Sequence, residues 1–165
     1  MTQNKLYPDG QIRRLESGAI TAEYDALGQL MFDAIHSEPS PYSEAERMAW
    51  RAEPYAGPDW HARLSAQHVL IAEEDGRPVG FLTLTPGGYV DLGYLLPEAR
   101  GRGWFRNLYA ALEGIARETG ETRLLTHASL AAEGPFKAVG FHVTERETVS
   151  IGDQSLRRAA MEKRL

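Results

Sequence analysis

Cysteine is absent from the 165 residues. This excludes disulfide scaffolds, thiolate metal sites, cysteine nucleophiles and dithiol redox motifs in one step. No run of about 18 apolar residues occurs, so no membrane-spanning helix is expected. The polar start Met1–Gly10 lacks an apolar signal-peptide core. Together these absences predict a cytoplasmic protein without a membrane partner. Positive charge is in deficit, with 18 Lys and Arg against 23 Asp and Glu for a net charge of -5, which argues against a nucleic-acid binder. HExxH, GxSxG and Gly-Lys-Ser/Thr phosphate loops are missing, and His36, His61, His68, His127 and His142 show no metal-ligand spacing. Neither a metal site nor a serine hydrolase is expected.

What is present is a composition of 42% hydrophobic and 25% charged residues, as in an ordinary globular domain. The length suits one core, so a single domain over residues 1–165 is expected, with residues 1–9 a loose terminus. Charge is uneven. Residues 1–75 carry 6 basic and 13 acidic side chains, and residues 76–165 carry 12 and 10, giving -7 and +2.

The pattern predicts a strand at Gln11–Glu16 and a helix at Thr21–Ile35, with Tyr24, Leu27, Met31 and Ile35 on one face. A proline-broken stretch over residues 37–60 contains a short helix near Glu44–Arg51, and Trp60–Ala66 forms a further helical turn. His68–Glu73, Pro78–Thr85 and Tyr89–Leu96 read as an antiparallel meander, punctuated by Asp75-Gly76 and Pro86-Gly87-Gly88. Gly103–Thr119 is an amphipathic helix. A strand at Arg123–His127, a short helix at Ala131–Val139 and strands at Phe141–Ile151 and Ser155–Glu162 complete the chain.

The chemistry concentrates in Leu95-Leu96-Pro97-Glu98-Ala99-Arg100-Gly101-Arg102-Gly103-Trp104-Phe105, which joins a strand to the long helix. A helix start offers unpaired N–H groups and partial positive charge. Gly101 and Gly103 permit a tight turn, and Arg100 and Arg102 add full charges, an arrangement suited to phosphate. The alternative is a plain glycine turn with two solvated arginines.

This loop resembles the signature of the GCN5-related N-acetyltransferases (GNAT): Arg or Gln, two residues, Gly, one residue, then Gly or Ala. Arg100 and Gly103 match, while Phe105 stands at the last position. Gly140-Phe141 after a short helix is a second mark, with Ser129 where many members have Asn and Phe136 where many have Tyr. The resemblance covers roughly residues 11–164 and points to a bacterial subgroup of mostly unassigned substrate.

The resemblance implies an α/β fold with a mixed, mostly antiparallel sheet, helices on both faces and a splayed cleft between the fourth and fifth strands. It implies acetyl-CoA as acyl donor. The pyrophosphate would lie on main-chain N–H groups of Gly101, Arg102, Gly103, Trp104 and Phe105, beside Arg100, and the pantetheine arm along Leu95 and Leu96. One of those two N–H groups would also hold the oxyanion. With no cysteine to carry an acyl group, transfer to a primary amine, foremost of a small molecule, would be direct.

Asp91, an acid in an apolar strand, is the candidate base, and alternation puts it on one face with Gly93 and Leu95. The alternative is a solvent-facing Asp. Ser129 is the other candidate catalytic residue, with cofactor binding or helix capping as its competing roles; Phe136 has no proton to give. His127 could relay a proton or be structural. Trp50 and Tyr55, among Glu44, Glu46, Glu53 and Asp59, would wall a cationic acceptor. A non-catalytic acyl-CoA-binding or regulatory module is the rival reading, and an incidental glycine loop a third. The last strands could pair across a homodimer.

Overall fold

The computed structural model describes residues 10–16 and 19–165; the expected loose terminus at 1–9 lies outside the described residues. Gly10–Leu15 forms β1, followed by the helices α1 (Thr21–Ile35), α2 (Glu44–Trp50) and α3 (Pro58–Ser65). The expected meander then appears as β2 (His68–Glu74), β3 (Arg77–Leu84) and β4 (Tyr89–Leu95), antiparallel throughout. Asp75 and Gly76 turn the β2–β3 hairpin with φ of 52° and 75°, the double left-handed geometry that a two-residue hairpin requires. A 3-10 turn at Pro97–Ala99 leads to α4 (Trp104–Glu118), β5 (Arg123–Ser129), α5 (Glu133–Ala138), β6 (His142–Ile151) and β7 (Gln154–Arg164). The last strand runs longer at both ends than its apolar pattern predicts, because the β5 and β6 ladders hold it.

The sheet order is β1-β2-β3-β4-β5-β7-β6, and β4–β5 is its parallel neighbour pair. On one face α4 lays Leu108, Leu112 and Ala116 against Leu70, Leu82, Leu84 and Val90. On the other, Leu27, Leu30 and Met31 of α1 and Trp60 and Leu64 of α3 cover Val69, Ile71, Phe81 and Leu92. The expected mixed, mostly antiparallel sheet with helices on both faces is therefore what the chain forms.

Two backbone features position the cleft. Leu82 pairs with Gly93, but Leu84 pairs with Val90, so Asp91 and Leu92 together oppose Thr83. This is a β-bulge, and it reverses the alternation along β4. Val90 packs on the α4 side and Leu92 on the α1 side. Asp91 therefore does not share a face with Gly93 and Leu95, as strict alternation predicts; it points toward α3, where Arg63 and Gln67 meet it.

The bulged N–H of Leu92 donates to Thr83 Oγ1 at 3.0 Å. Thr83→Val keeps the shape but strands that buried N–H, so a stability loss of about 1–3 kcal/mol is expected. Chemical denaturation checks it; an unchanged midpoint would show that the bulge holds itself.

The second feature is the splay. Among the described residues, β4 and β5 pair only at Tyr89 with Leu125 and Val90 with Thr126. Thr126 Oγ1 donates to the Val90 carbonyl at 2.9 Å, closing the junction just where the strands part. Beyond it the gap opens toward Leu95 and Ser129.

α1 carries one tight approach. A Cβ at Gly28 would lie 1.9 Å from the Tyr55 carbonyl oxygen and 3.3 Å from Trp60 Nε1. Helix propensity favours Ala over Gly by up to about 1 kcal/mol, but overpacking of this kind costs about 1–3 kcal/mol or more. The clash is with backbone, so packing wins. Gly28→Ala is expected to lower the melting temperature by roughly 5 °C; a rise would show that propensity decides.

Candidate active site

One side of the gap is a cavity of about 190 Å³ lined by Gly93, Tyr94 and Leu95 of β4, the end of α1, Phe105, and Ser129 to Pro135. Arg100 and Phe105, which flank the glycines of the loop, also line it. Gly101 and Gly103 have φ of 71° and 86°, conformations that cost little for glycine alone. Gly103 is the N-cap of α4 and, among the described residues, no side chain caps this helix. Its first turn holds no acid, whereas α1, α2, α3 and α5 each carry at least one there. A helix start of this kind carries partial positive charge that favours an anion. Among the described residues, nothing lies within 4 Å of a Cβ built on Gly101.

The two loop arginines differ from each other. Arg100 donates from Nε to the Leu95 carbonyl at 3.1 Å, and from Nη2 to Ser37 Oγ at 3.0 Å and the Ala34 carbonyl at 3.3 Å. It ties the loop to the end of α1, and its partners are neutral, so its charge stays uncompensated by them. Burial pushes its pKa down, with Glu98 pulling the other way. Arg102 pairs with Glu74 at 2.7 Å, and Trp104 Nε1 donates to the same carboxylate at 2.8 Å. The expectation of two arginines free for phosphate therefore holds for neither side chain: one is a staple and the other has a counter-ion 28 positions away in β2.

Leu96 continues β4, its N–H bound to the Val79 carbonyl at 2.9 Å. Phe105 lines the cavity and meets Phe136 edge-on at 5.1 Å between centroids. Phe136 itself is 4% exposed and packs on Phe141 within the α4-side core. Ser129 Oγ accepts from the Ala132 N–H at 3.3 Å, closing the turn ahead of α5, whose N-cap is Ala132 with no side-chain cap, so Ser129 does not cap that helix.

On the other side of the gap lies a second cavity of about 260 Å³, whose walls include Tyr55, Arg63, Tyr89, Asp91, His127, Arg157 and Arg158. The two cavities share Tyr42, Trp50, Tyr94 and Ser129. Tyr42 bridges the junction, donating to the Arg157 carbonyl at 2.7 Å and accepting from the Leu130 N–H at 2.9 Å. Burial raises its pKa, and raises that of Tyr94 much further, so both phenols stay protonated. Trp50 sits edge-on to Tyr42 and tilted against Tyr94.

Asp91 accepts two bonds from Arg63, both at 3.0 Å, and one from Gln67 Nε2 at 2.7 Å. Burial opposes the Arg63 charge, but the bonds and field of Asp91 more than offset it and raise its pKa. Tyr89 hydroxyl contacts His127 Nδ1 at 2.7 Å, and His127 Nε2 lies 3.6 Å from Glu147. Tyr55 stacks on Trp60 at 4.7 Å and has the Arg51 guanidinium 3.6 Å above its ring. Its faces are covered, so it presents an edge to the cavity. Of the acids expected to build this wall, Glu44, Glu46, Glu53 and Asp59 line neither cavity. Glu46 instead completes a capping box with Ser43 at the start of α2.

Sequence reasoning passed over Tyr94, Arg63, Arg157 and Arg158. Tyr94 carried a signal, an aromatic immediately before the Leu95–Phe105 stretch. The arginines carried none, since their place depends on which strands and helices meet.

Two cavities that meet through shared side chains, one of them reaching an uncapped helix N-terminus, have the layout of a group transferase with separate donor and acceptor sites. The acetyltransferase (GNAT) domain model matches residues 40–165, and the chain belongs to that family. A GCN5-related N-acetyltransferase structure from Rhodopseudomonas palustris, also described as an aminotransferase of class II, aligns over 99% of this chain and 100% of its own at 28% identity and a TM-score of 0.81. A putative acetyltransferase from Salmonella typhimurium, solved with acetyl-CoA, covers 95% of this chain and 94% of its own at 21% identity, TM-score 0.65. A phosphinothricin acetyltransferase from Sinorhizobium meliloti, solved with AcCoA, covers 95% and 89% at 21% identity, TM-score 0.64. The last two establish likeness of fold. Comparison with curated proteins returned no match. Among the described residues no helix is long and apolar enough to cross a membrane.

Proposed function

We propose that this protein is an acetyl-CoA-dependent N-acetyltransferase acting on a primary amine of a small molecule. The observation that carries the reading is the meeting of the two cavities at Tyr42, Trp50, Tyr94 and Ser129, with the α4 N-terminus at the far end of one. The residues fit the donor: an uncapped, acid-free helix start for a pyrophosphate, and a strand edge released from β5 for an extended arm. Main-chain N–H groups of Gly101, Arg102, Gly103, Trp104 and Phe105 would hold the phosphates, with Arg100 fixing the loop, and Leu95 and Leu96 would flank the arm. Acetyl-CoA supplies an activated thioester carbonyl and a thiol leaving group of pKa about 8.5.

An alkyl ammonium enters protonated, with pKa near 10.4, and must lose a proton before it attacks. Asp91 would take it. Of roughly four lone-pair sites on a carboxylate, three are used by Arg63 and Gln67, which leaves one on Oδ1 for the amine. The proton passes on to water in the half-open cavity. Attack forms the N–C bond and breaks the C–S bond, and the second amine proton ends on sulfur. Ser129, common to both cavities, is the hydroxyl that would donate there. Phe136 cannot, and a thiol of this acidity departs without a stronger acid. Trp50 and the edge of Tyr55 wall the acceptor.

A cavity of about 260 Å³ falls below the usual 300–1,000 Å³ of drug-sized sites, which favours a small amine over a protein. Calorimetric titration with acetyl-CoA and CoA tests the reading, followed by thiol release with an amine panel. No heat at millimolar acetyl-CoA overturns it; binding without turnover of any amine favours a non-catalytic acyl-CoA sensor.

A further inference from the structure

The bulge in β4 brings together two polar side chains that a regular strand keeps apart. Asp91 and Tyr94 are three positions apart, which in an unbroken strand places them on opposite faces. The extra residue at Asp91 and Leu92 cancels one alternation. Tyr94 therefore shares the α1-side face with Asp91, and its ring packs on Phe81 at 5.9 Å and Trp50 at 6.3 Å between centroids. Among the described residues the Tyr94 hydroxyl makes no hydrogen bond, although the side chain walls both cavities. The other hydroxyls at this junction are engaged: Tyr42 donates to the Arg157 carbonyl and accepts from the Leu130 N–H, and Ser129 accepts from the Ala132 N–H. Burial pushes the Tyr94 phenol up, and the charged and phenolic groups acting on it are Arg63, Tyr55, Asp91 and Tyr42. All four line the acceptor cavity, so the hydroxyl lies on that side. It stays protonated, with one O–H to donate and lone pairs to accept.

Attack on a thioester puts negative charge on the acetyl oxygen, and donors aimed there lower the barrier. Of the two main-chain N–H groups expected to hold it, that of Leu96 is bound to the Val79 carbonyl at 2.9 Å. That bond turns the Leu95 N–H the other way, into the gap, so one of the two remains. We propose that Tyr94 is a catalytic residue: its hydroxyl bridges the reacting groups, accepting from an N–H of the acceptor amine and donating to the acetyl oxygen. The proposal rests on the acetyltransferase reading above and adds a second polar contact beside Asp91. No proton passes through the phenol. The N–C bond forms, the C–S bond breaks, and Tyr94 keeps its hydrogen throughout. The contact to the amine replaces one made by water and changes binding little. The contact to the oxygen strengthens only as charge develops, so it acts on the chemical step.

Tyr94→Phe in the full-length protein is the test, because it keeps the ring and its packing and deletes one oxygen. Thiol release is followed with the best amine of the panel, and acetyl-CoA affinity is measured separately by calorimetry. The variant is expected to lose about 10- to 100-fold in kcat, the range of one hydrogen bond to a charged group. KM for the amine and affinity for acetyl-CoA are expected to stay within about threefold of the parent. A hydroxyl without a protein partner gives up no bond when it is removed, so the melting temperature is expected not to fall. A structural hydroxyl gives the opposite pattern, a lower melting temperature with kcat intact. Tyr24→Phe, on a tyrosine that lines neither cavity, serves as the control and is expected to leave kcat unchanged.

A kcat for Tyr94→Phe within about threefold of the parent overturns the proposal while the acetyltransferase reading stands. A loss confined to KM leaves only the contact to the amine, and a loss of kcat matched by a lower melting temperature makes the hydroxyl structural; either overturns it too. If the parent binds no acetyl-CoA, or binds it and turns over no amine, the acetyltransferase reading fails and the proposal fails with it.

Discussion

Asp91→Asn is expected to lower kcat/KM by roughly 10²–10⁴-fold, the usual share of a positioned base. In barrier terms this is about 3–5 kcal/mol. The structural cost is smaller. The Arg63–Asp91 pair is partly open, with side-chain exposures of 37% and 18%, and exposed pairs contribute about 0–1 kcal/mol. The two effects therefore separate. Asparagine keeps the outline and can still accept from Arg63 or Gln67, but its amide turns a donor toward Arg63 and offers no basic oxygen. Steady-state kinetics across pH, with a thermal melt beside them, provides the check. The variant should melt within a few degrees of the parent and recover rate as rising pH deprotonates the free amine without help. A loss confined to KM would make Asp91 a binding group, and a rate within threefold of the parent would remove it from the chemistry.

Gly103→Val is expected to weaken acetyl-CoA binding by about 10- to 100-fold. Gly103 sits at φ of 86° as the N-cap of α4, where a β-branched residue carries strain of about 1–3 kcal/mol. The chain can relieve that strain only by turning the peptide before Trp104, and Trp104 is locked by complete burial and its bond to Glu74. The loop must therefore move, and the N–H groups that would face a pyrophosphate move with it. Each hydrogen bond to a charged group is worth about 1.5–3 kcal/mol, so misaiming one accounts for the range. Calorimetry measures the affinity. Affinity within twofold of the parent would mean that the pyrophosphate lies elsewhere.

Much of the scaffold was legible because its signals are local. The Asp75-Gly76 hairpin, the apolar stripe of α4 and the glycines before it follow from short-range chemistry, and each sits where its pattern implied. Phe136 was legible as a departure, and its burial agrees with its lack of a polar handle. The bulge at Asp91 and Leu92 was not legible: a strand's period of two carries no mark where one extra residue enters, and Thr83, which satisfies the bulged N–H, lies on the neighbouring strand. The roles of Arg100 and Arg102 were hidden for a similar reason. Both look like free cations in the loop, and only folding brings Ser37 to the one and Glu74 to the other.

The sequence by itself determined the order of elements, the family signature at Arg100 to Gly103, and the exclusion of cysteine chemistry, since these depend on residue type and on spacing within a few turns of chain. The tertiary structure alone decided which face Asp91 occupies, which arginines are already paired, and that the early acids line neither cavity. The reason is that charge pairing acts through space over a few ångströms, and contacts such as Arg63 with Asp91, or Tyr42 with Arg157, join positions 28 and 115 residues apart.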